Sequence, residues 1–215
     1  IIIFAGVSFG TSIIIAVRFY KNLFSDEGYL TNTLPVTKGM HLLSKTIAGS
    51  LWCLIDTLLI CLCAYILMGV PVITVPLSEH WDEFIRLLGF QGQGDFNLFL
   101  LYMLLLVVVS AFGNVIVIEA SVVLGQLFNS HKVLGAVVSY FVITTITSIA
   151  ATIVMGVQGI LSSSIDINSG TSPESIDFAG YLMDIMNLSL VLSVCLAVIL
   201  YLLSYFIMKK KVNLS

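Results

Sequence analysis

Hydrophobic and polar positions divide the 215-residue chain into five long apolar runs joined by shorter polar stretches. A helix needs about 20 predominantly apolar residues to cross the hydrocarbon core of a bilayer, and each run is close to that length or longer. The pattern predicts an all-α, polytopic membrane bundle that forms a single transmembrane domain over residues 1–215. The expected spans are 1–17, 46–70, 97–118, 133–156 and 185–208.

Composition agrees with this prediction. Hydrophobic residues make up 59% of the chain and charged residues 10%, against roughly 25% charged residues in a soluble domain. The four cysteines lie inside apolar runs, where cysteine behaves as a small hydrophobe, and the three histidines fall on different segments. The sequence therefore indicates neither a disulfide framework nor a metal site.

The basic residues are distributed unevenly between the two sides of the predicted bundle. Eight of the nine lie before the second span, between the third and fourth spans, or after the fifth, and Arg86 is the exception. By the positive-inside rule these loops and the C-terminus are cytoplasmic, as in a multi-pass protein of the cell membrane. Because Ile1 lies within an apolar run, we expect one further N-terminal helix and six spans in the full-length protein.

The polar stretch between the first two spans has a pattern of its own. Apolar residues at helical spacing, up to Leu23 and Phe24, predict that the first helix continues out of the membrane. Gly28 is placed to end it, and Pro35 breaks any helix at that point. Thr37 offers an N-cap for a second helix. This arrangement is typical of an interfacial elbow that turns the chain around, or of a segment that binds a partner.

On the opposite side, the sequence predicts a short amphipathic helix capped by Ser78. Its apolar face carries Trp81, Phe84, Ile85 and Leu88. We expect it to lie in the outer interface, with Trp81 at headgroup depth.

Three polar residues of the spans are candidates for a transport pathway. Asp56 lies near mid-membrane, where an ionisable group costs at least about 2.5 kcal/mol; it either lines a path or holds the bundle together through a bond to Thr57 or a neighbouring helix. Asn114 is a candidate for hydrogen bonding between helices. Glu119, some 22 residues into the third span, is expected near the inner interface, in contact with water.

Gly92-Gln93-Gly94-Asp95 matches the Gly-x-Gly-Asp signature of aspartyl intramembrane proteases, in which Asp95 and Asp56 would form the catalytic pair. Two carboxyl groups that share a proton must lie within a few ångströms, whereas Asp95 precedes its span and Asp56 lies at mid-membrane. We therefore expect no catalytic residue. The chain also has no Walker-type phosphate loop, so it does not hydrolyse ATP itself.

The segments FYKNLFSDEGYLT (19–31), TLPV (33–36) and LSK (43–45) resemble the first cytoplasmic loop of type-2 ABC exporter permeases from Gram-positive bacteria. The predicted topology matches that family if one helix is missing from the front. The lysine-rich ending at 209–214 also resembles the end of these permeases.

The resemblance implies a membrane-spanning permease that exports a peptide, drug or lipid-like substrate. It implies that ATPase subunits, which bind ATP and Mg, and a second or sister permease are the protein partners, with the lipid bilayer around them and no nucleic acid. It also implies that this chain holds no cofactor. The residues that would couple to the ATPase are Phe24, Ser25, Asp26, Glu27, Gly28, Tyr29, Leu30 and Pro35.

Two other functions stay open from the sequence. The first is a non-transporting immunity, sensing or scaffold protein, which would bind a partner through the same loop without any ATPase. The second is the intramembrane protease described above.

Overall fold

The computed structural model describes residues 2–24, 37–90, 92–128, 131–167 and 178–211. These residues form seven helices: α1 (Ile2–Phe24), α2 (Lys38–Met68), α3 (Pro71–Glu79), α4 (Trp81–Leu87), α5 (Gln93–Gly125), α6 (Lys132–Ile167) and α7 (Phe178–Lys211). No strand occurs within these ranges. The prediction of an all-helical fold is confirmed.

Five of the helices are long and apolar enough to cross a membrane. The qualifying segments are Ile3–Phe24, Gly39–Met68, Gln93–Gly125, Lys132–Val157 and Leu182–Lys210. Each predicted span thus corresponds to one helix; most helices extend beyond the predicted bounds, but α2 ends at Met68, two residues before the predicted end. At 1.5 Å per residue, the 33 residues of α5 are about 50 Å long, which exceeds a hydrocarbon core of about 30 Å. Such a helix tilts or protrudes from the membrane.

Helix α5 is the centre of the bundle, because it contacts all four of the other spanning helices. The buried residues of α5 lie in its second half, from Ala111 to Gly125. Its contacts with α6 and α7 are the most extensive, and α1 and α2 pack on it and on each other. The remaining faces of the spanning helices are rich in exposed Leu, Ile and Val, as expected for surfaces that face lipid.

One end of the bundle is held together by an apolar cluster. It joins the end of α1, the start of α2, the end of α5 and the end of α7 through Phe19, Leu23, Leu42, Val122, Val123 and Met208. These helix ends, with the start of α6, carry the basic residues of the described spans. We call this end of the bundle the basic end.

Glycine allows close packing between α5 and α6 at the basic end. A Cβ at Gly125 would lie 2.6 Å from the backbone N of Ala136, and a Cβ at Gly135 would lie 2.5 Å from the ring of Phe128. The two backbones can therefore approach each other only because these positions lack side chains. This contact brings the end of α5 close to the start of α6.

The start of α2 follows the sequence prediction. The Thr37 hydroxyl accepts a hydrogen bond from the backbone N of Met40 at 3.4 Å, with Thr37 itself in an extended conformation. This is the geometry of an N-cap. Helix α1 extends to Phe24, as predicted; the predicted helix end at Gly28 and the break at Pro35 lie outside the described residues.

The predicted helix start at Ser78 is wrong. Pro71 occupies the first turn of α3, which continues through Pro76 and Ser78 to Glu79, and α4 starts only at Trp81. Ile85 and Phe90 are buried beside Trp81, Leu88, Phe96 and Phe99. Gly89 makes the turn towards α5 with φ 86°, a conformation that glycine adopts readily.

Candidate functional site

Two cavities lie along the same three helices, α1, α2 and α5. The first, which we call the basic cleft, has a volume of about 300 Å³ and lies towards the basic end. The second, which we call the polar groove, has a volume of about 320 Å³ and lies further from that end. All three predicted pathway residues line one of these cavities: Glu119 the basic cleft, and Asp56 and Asn114 the polar groove.

The basic cleft has two matching walls. On α1 it is lined by residues 15, 18, 19 and 22, and on α2 by residues 45, 48, 49 and 52. Both sets follow the i, i+3, i+4, i+7 spacing that defines one helix face. Glu119 of α5 completes the lining, and the charged residues on the two walls are Arg18 and Lys45.

The sequence predicted that Glu119 is in contact with water, and this prediction is wrong. Its side chain is only 2% exposed, and Oε2 lies 2.6 Å from the hydroxyl oxygen of Thr46, which is also buried. The sequence could not show that α2 covers Glu119 on α5. The residue is therefore a buried acid between two helices.

The Thr46 hydroxyl has two acceptors within reach and one proton. It lies 2.6 Å from Glu119 Oε2 and 3.0 Å from the carbonyl oxygen of Leu42. If the proton goes to Glu119, the carboxylate is the acceptor. If it goes to Leu42, the Glu119 carboxyl group must carry its own proton and donate it to Thr46. The pair is thus suited to hold Glu119 in either protonation state.

Asp56 and Asn114 both line the polar groove, and their role in a pathway stays a prediction. Hydroxyl side chains from all three helices line it as well, and the full set is Ser8, Thr11, Ser12, Cys53, Asp56, Thr57, Val107, Ser110, Ala111 and Asn114. Asp56 is its one charged residue. The groove therefore places a carboxyl group, an amide and several hydroxyl groups inside the predicted membrane-spanning region.

Most groove hydroxyls donate to the backbone of their own helix. Ser12 donates to the Ser8 carbonyl oxygen at 2.9 Å, Thr57 to Cys53 at 2.8 Å and Ser110 to Val107 at 2.9 Å. The Thr57 proton is therefore directed to the backbone and not to Asp56. Because these protons are donated to the backbone, the hydroxyl oxygens are available to a ligand as hydrogen-bond acceptors.

The protease pair is not formed. Asp95 is exposed in the first turn of α5, while Asp56 shares its groove with Ser110 and Asn114. Fifteen residues of continuous helix separate positions 95 and 110, or about 22 Å. A shared proton requires carboxyl groups a few ångströms apart.

Of the predicted coupling residues, Phe24 is described. It is the last residue of α1, with ring centroids 6.1 Å from Phe19 and 6.4 Å from Tyr20. Ser25, Asp26, Glu27, Gly28, Tyr29, Leu30 and Pro35 lie outside the described residues.

Sequence reasoning missed several residues of both cavities. The α1 hydroxyls at 8, 11 and 12 were detectable in principle, because their spacing places them on one helix face. The partnership of Thr46 with Glu119 had no such signal, since 73 positions separate the two residues.

Comparison with protein-family models, with curated protein sequences and with solved structures found no match to this chain.

Proposed function

We propose that this chain is the membrane-spanning permease subunit of an ABC exporter in the cell membrane. Its basic end and C-terminus face the cytoplasm, where the segment from Phe24 to Pro35 binds an ATPase subunit that carries ATP and Mg. A second or sister permease completes the pathway. The exported substrate is a peptide, a drug or a lipid-like molecule.

One observation carries the proposal beyond the resemblance of the loop. The helices that flank the proposed coupling segment, α1 and α2, are the same two helices that line both cavities with α5. A force on that segment would therefore move the cavity walls directly. This is the mechanical connection that an ATP-driven permease requires.

The anchoring of the two flanking helices supports the same mechanism. Phe19 and Leu23 of α1 and Leu42 of α2 are buried in one cluster with the ends of α5 and α7. Because packed interfaces switch between discrete arrangements and do not deform continuously, movement of the segment would shift α1 and α2 as units. The polar groove would open or close in response.

The chemistry of the groove supports a substrate with hydrogen-bond donors. Asp56 contributes a carboxyl group, and the hydroxyl oxygens around it are acceptors. An amine or ammonium group of a peptide or drug would satisfy both. The apolar outer surface of the bundle would admit such a molecule from the bilayer.

Co-purification tests the proposal. The full-length protein is tagged, extracted gently from its native membrane, and its partners are identified by mass spectrometry. We expect an ATPase subunit, and we expect Asp26→Ala with Glu27→Ala to remove it while the permease itself is recovered unchanged.

The matched control is Glu79→Ala with Asp82→Ala, which removes two exposed carboxylates at the other end of the bundle and should leave the ATPase bound. Recovery of the intact permease without any ATPase would contradict the proposal and favour the immunity, sensing or scaffold function.

A further inference from the structure

The basic cleft is lined by both charged and apolar side chains, and the proposed transport mechanism assigns these side chains no role. Arg18 and Asn22 lie one turn apart on α1, and Lys45 lies opposite them on α2. Ile15, Phe19, Ala48 and Trp52 supply apolar surface in the same cleft. A ligand that fills it must be charged at one end and apolar at the other.

The cleft is long enough for the phosphate of a lipid and the start of one acyl chain. Lys45 and Trp52 are seven residues apart on one face of α2, or about 10 Å along the helix. Between them lie Ala48, which adds only a methyl group to the wall of the cleft, and Gly49, which packs closely against Val115 of α5. Trp52 is 55% exposed, so its indole ring is accessible from the bilayer side.

The charge of the cleft selects an anion. Arg18 and Lys45 contribute two positive charges, and Glu119 contributes at most one negative charge, so the lining is cationic in either protonation state of Glu119. The cleft lies towards the end of the bundle where most basic residues are located.

We propose that the basic cleft is a binding site for an anionic phospholipid of the leaflet at the basic end. Its phosphate binds Arg18 and Lys45, and one acyl chain lies along Ala48 and Trp52. Basic pockets between spanning helices on the cytoplasmic side bind lipid headgroups in this way. The lipid would hold α1 and α2 together beside the segment that joins them.

Tryptophan fluorescence tests this site directly, because the chain has two tryptophans, Trp52 and Trp81. In the full-length protein with Trp81→Phe and any other tryptophan replaced, Trp52 reports on the cleft. The protein is reconstituted in vesicles of phosphatidylcholine that contain an equal small fraction of brominated phosphatidylglycerol or brominated phosphatidylcholine. Bromine on the acyl chain quenches a tryptophan that it contacts.

We expect brominated phosphatidylglycerol to be preferred by roughly five-fold or more at Trp52, since one basic residue near the surface attracts anionic lipid by about that factor. Equal quenching by the two lipids would overturn the proposal, and this comparison needs no cleft variant. Arg18→Gln with Lys45→Gln should abolish the preference, and Arg18→Lys should retain it.

Lys132→Gln with Lys209→Gln is the matched control, because it removes two exposed charges at the same end but outside the cleft. It should leave the preference unchanged; an equal loss in this control would show general surface attraction and overturn the site. Inorganic phosphate at constant ionic strength should not displace the brominated lipid. Displacement would identify a free-phosphate site and overturn the lipid proposal.

Discussion

The hydroxyl oxygen of Thr46 on α2 lies 2.6 Å from Oε2 of Glu119 on α5, and both side chains are buried. This contact joins a flanking helix of the proposed coupling segment to the central helix of the bundle. Along α2, Thr46 lies at the end of the basic cleft that is farther from the polar groove, and Glu119 itself lines the cleft. Movement of α2 relative to α5 would therefore change the distance between Thr46 and Glu119.

Replacement of Thr46 by valine should destabilise the bundle. Valine keeps the shape of threonine but leaves the buried Glu119 carboxyl group without this partner, at a cost of about 1–3 kcal/mol. We expect a lower midpoint in thermal unfolding of the detergent-solubilised protein.

The control is Thr57→Val on the same helix, where the hydroxyl bonds only to the backbone of its own helix. Its effect should be smaller. Glu119→Gln should restore part of the loss in the Thr46→Val background, since an unpaired amide is cheaper to bury than an ionised carboxylate. Equal effects of Thr46→Val and Thr57→Val would show that the Glu119 contact contributes nothing to stability.

Two glycines of α5 should respond in opposite ways to alanine. A Cβ at Gly125 would lie 2.6–2.7 Å from the backbone of Ala136, whereas a Cβ at Gly113 would meet nothing within 4 Å. Gly125→Ala should therefore separate α5 from α6 and destabilise the protein by about 1–3 kcal/mol. Gly113→Ala should be neutral or stabilise it by up to about 1 kcal/mol. Unfolding of the two variants under identical conditions gives the comparison, and a harmless Gly125→Ala would refute the close α5–α6 contact.

The five spans and the start of α2 could be predicted from the sequence. The five spans follow from hydropathy alone because every backbone polar group in lipid must be satisfied within its own helix. Thr37 could be identified as an N-cap from its position before an apolar run. Contacts between helices are different, since they depend on which faces meet.

Glu119 shows where sequence reasoning failed. Its depth along α5 could be calculated from the helical rise, but its burial depends on α2, whose position around α5 is not encoded in any local pattern. The same holds for the central role of α5, whose apolar residues are spread around the whole helix. The helix start predicted at Ser78 was wrong for a local reason, because α3 continues through Pro76 although proline removes a backbone donor from a helix interior.

The polar groove should be accessible to water. Ser110→Cys in a variant with all native cysteines replaced by alanine should react with a charged, water-soluble maleimide, because thiol alkylation requires the thiolate and therefore water. Val108→Cys is the control, since Val108 is exposed at nearly the same depth but outside the groove. The extent of labelling is measured by mass shift. Equal labelling at the two positions would show that the groove is not a separate aqueous surface.

Asp56→Asn should leave insertion and folding unchanged but reduce transport of an amine-bearing substrate. The amide keeps the size of the side chain and removes the charge that the groove offers. Transport into inverted vesicles with the ATPase present gives the measurement. The control is Asp95→Asn, an exposed position in the first turn of α5, which should transport normally. Full transport by Asp56→Asn would assign Asp56 a structural role.

Contact between the proposed coupling segment and an ATPase is the central claim, and photo-crosslinking in the native membrane tests it most directly. A photoreactive amino acid at Tyr29 should form an adduct that contains an ATPase subunit, and the same amino acid at Tyr65, which is exposed at the other end of α2, should not. An adduct at Tyr29 with other proteins and never with an ATPase would contradict the account.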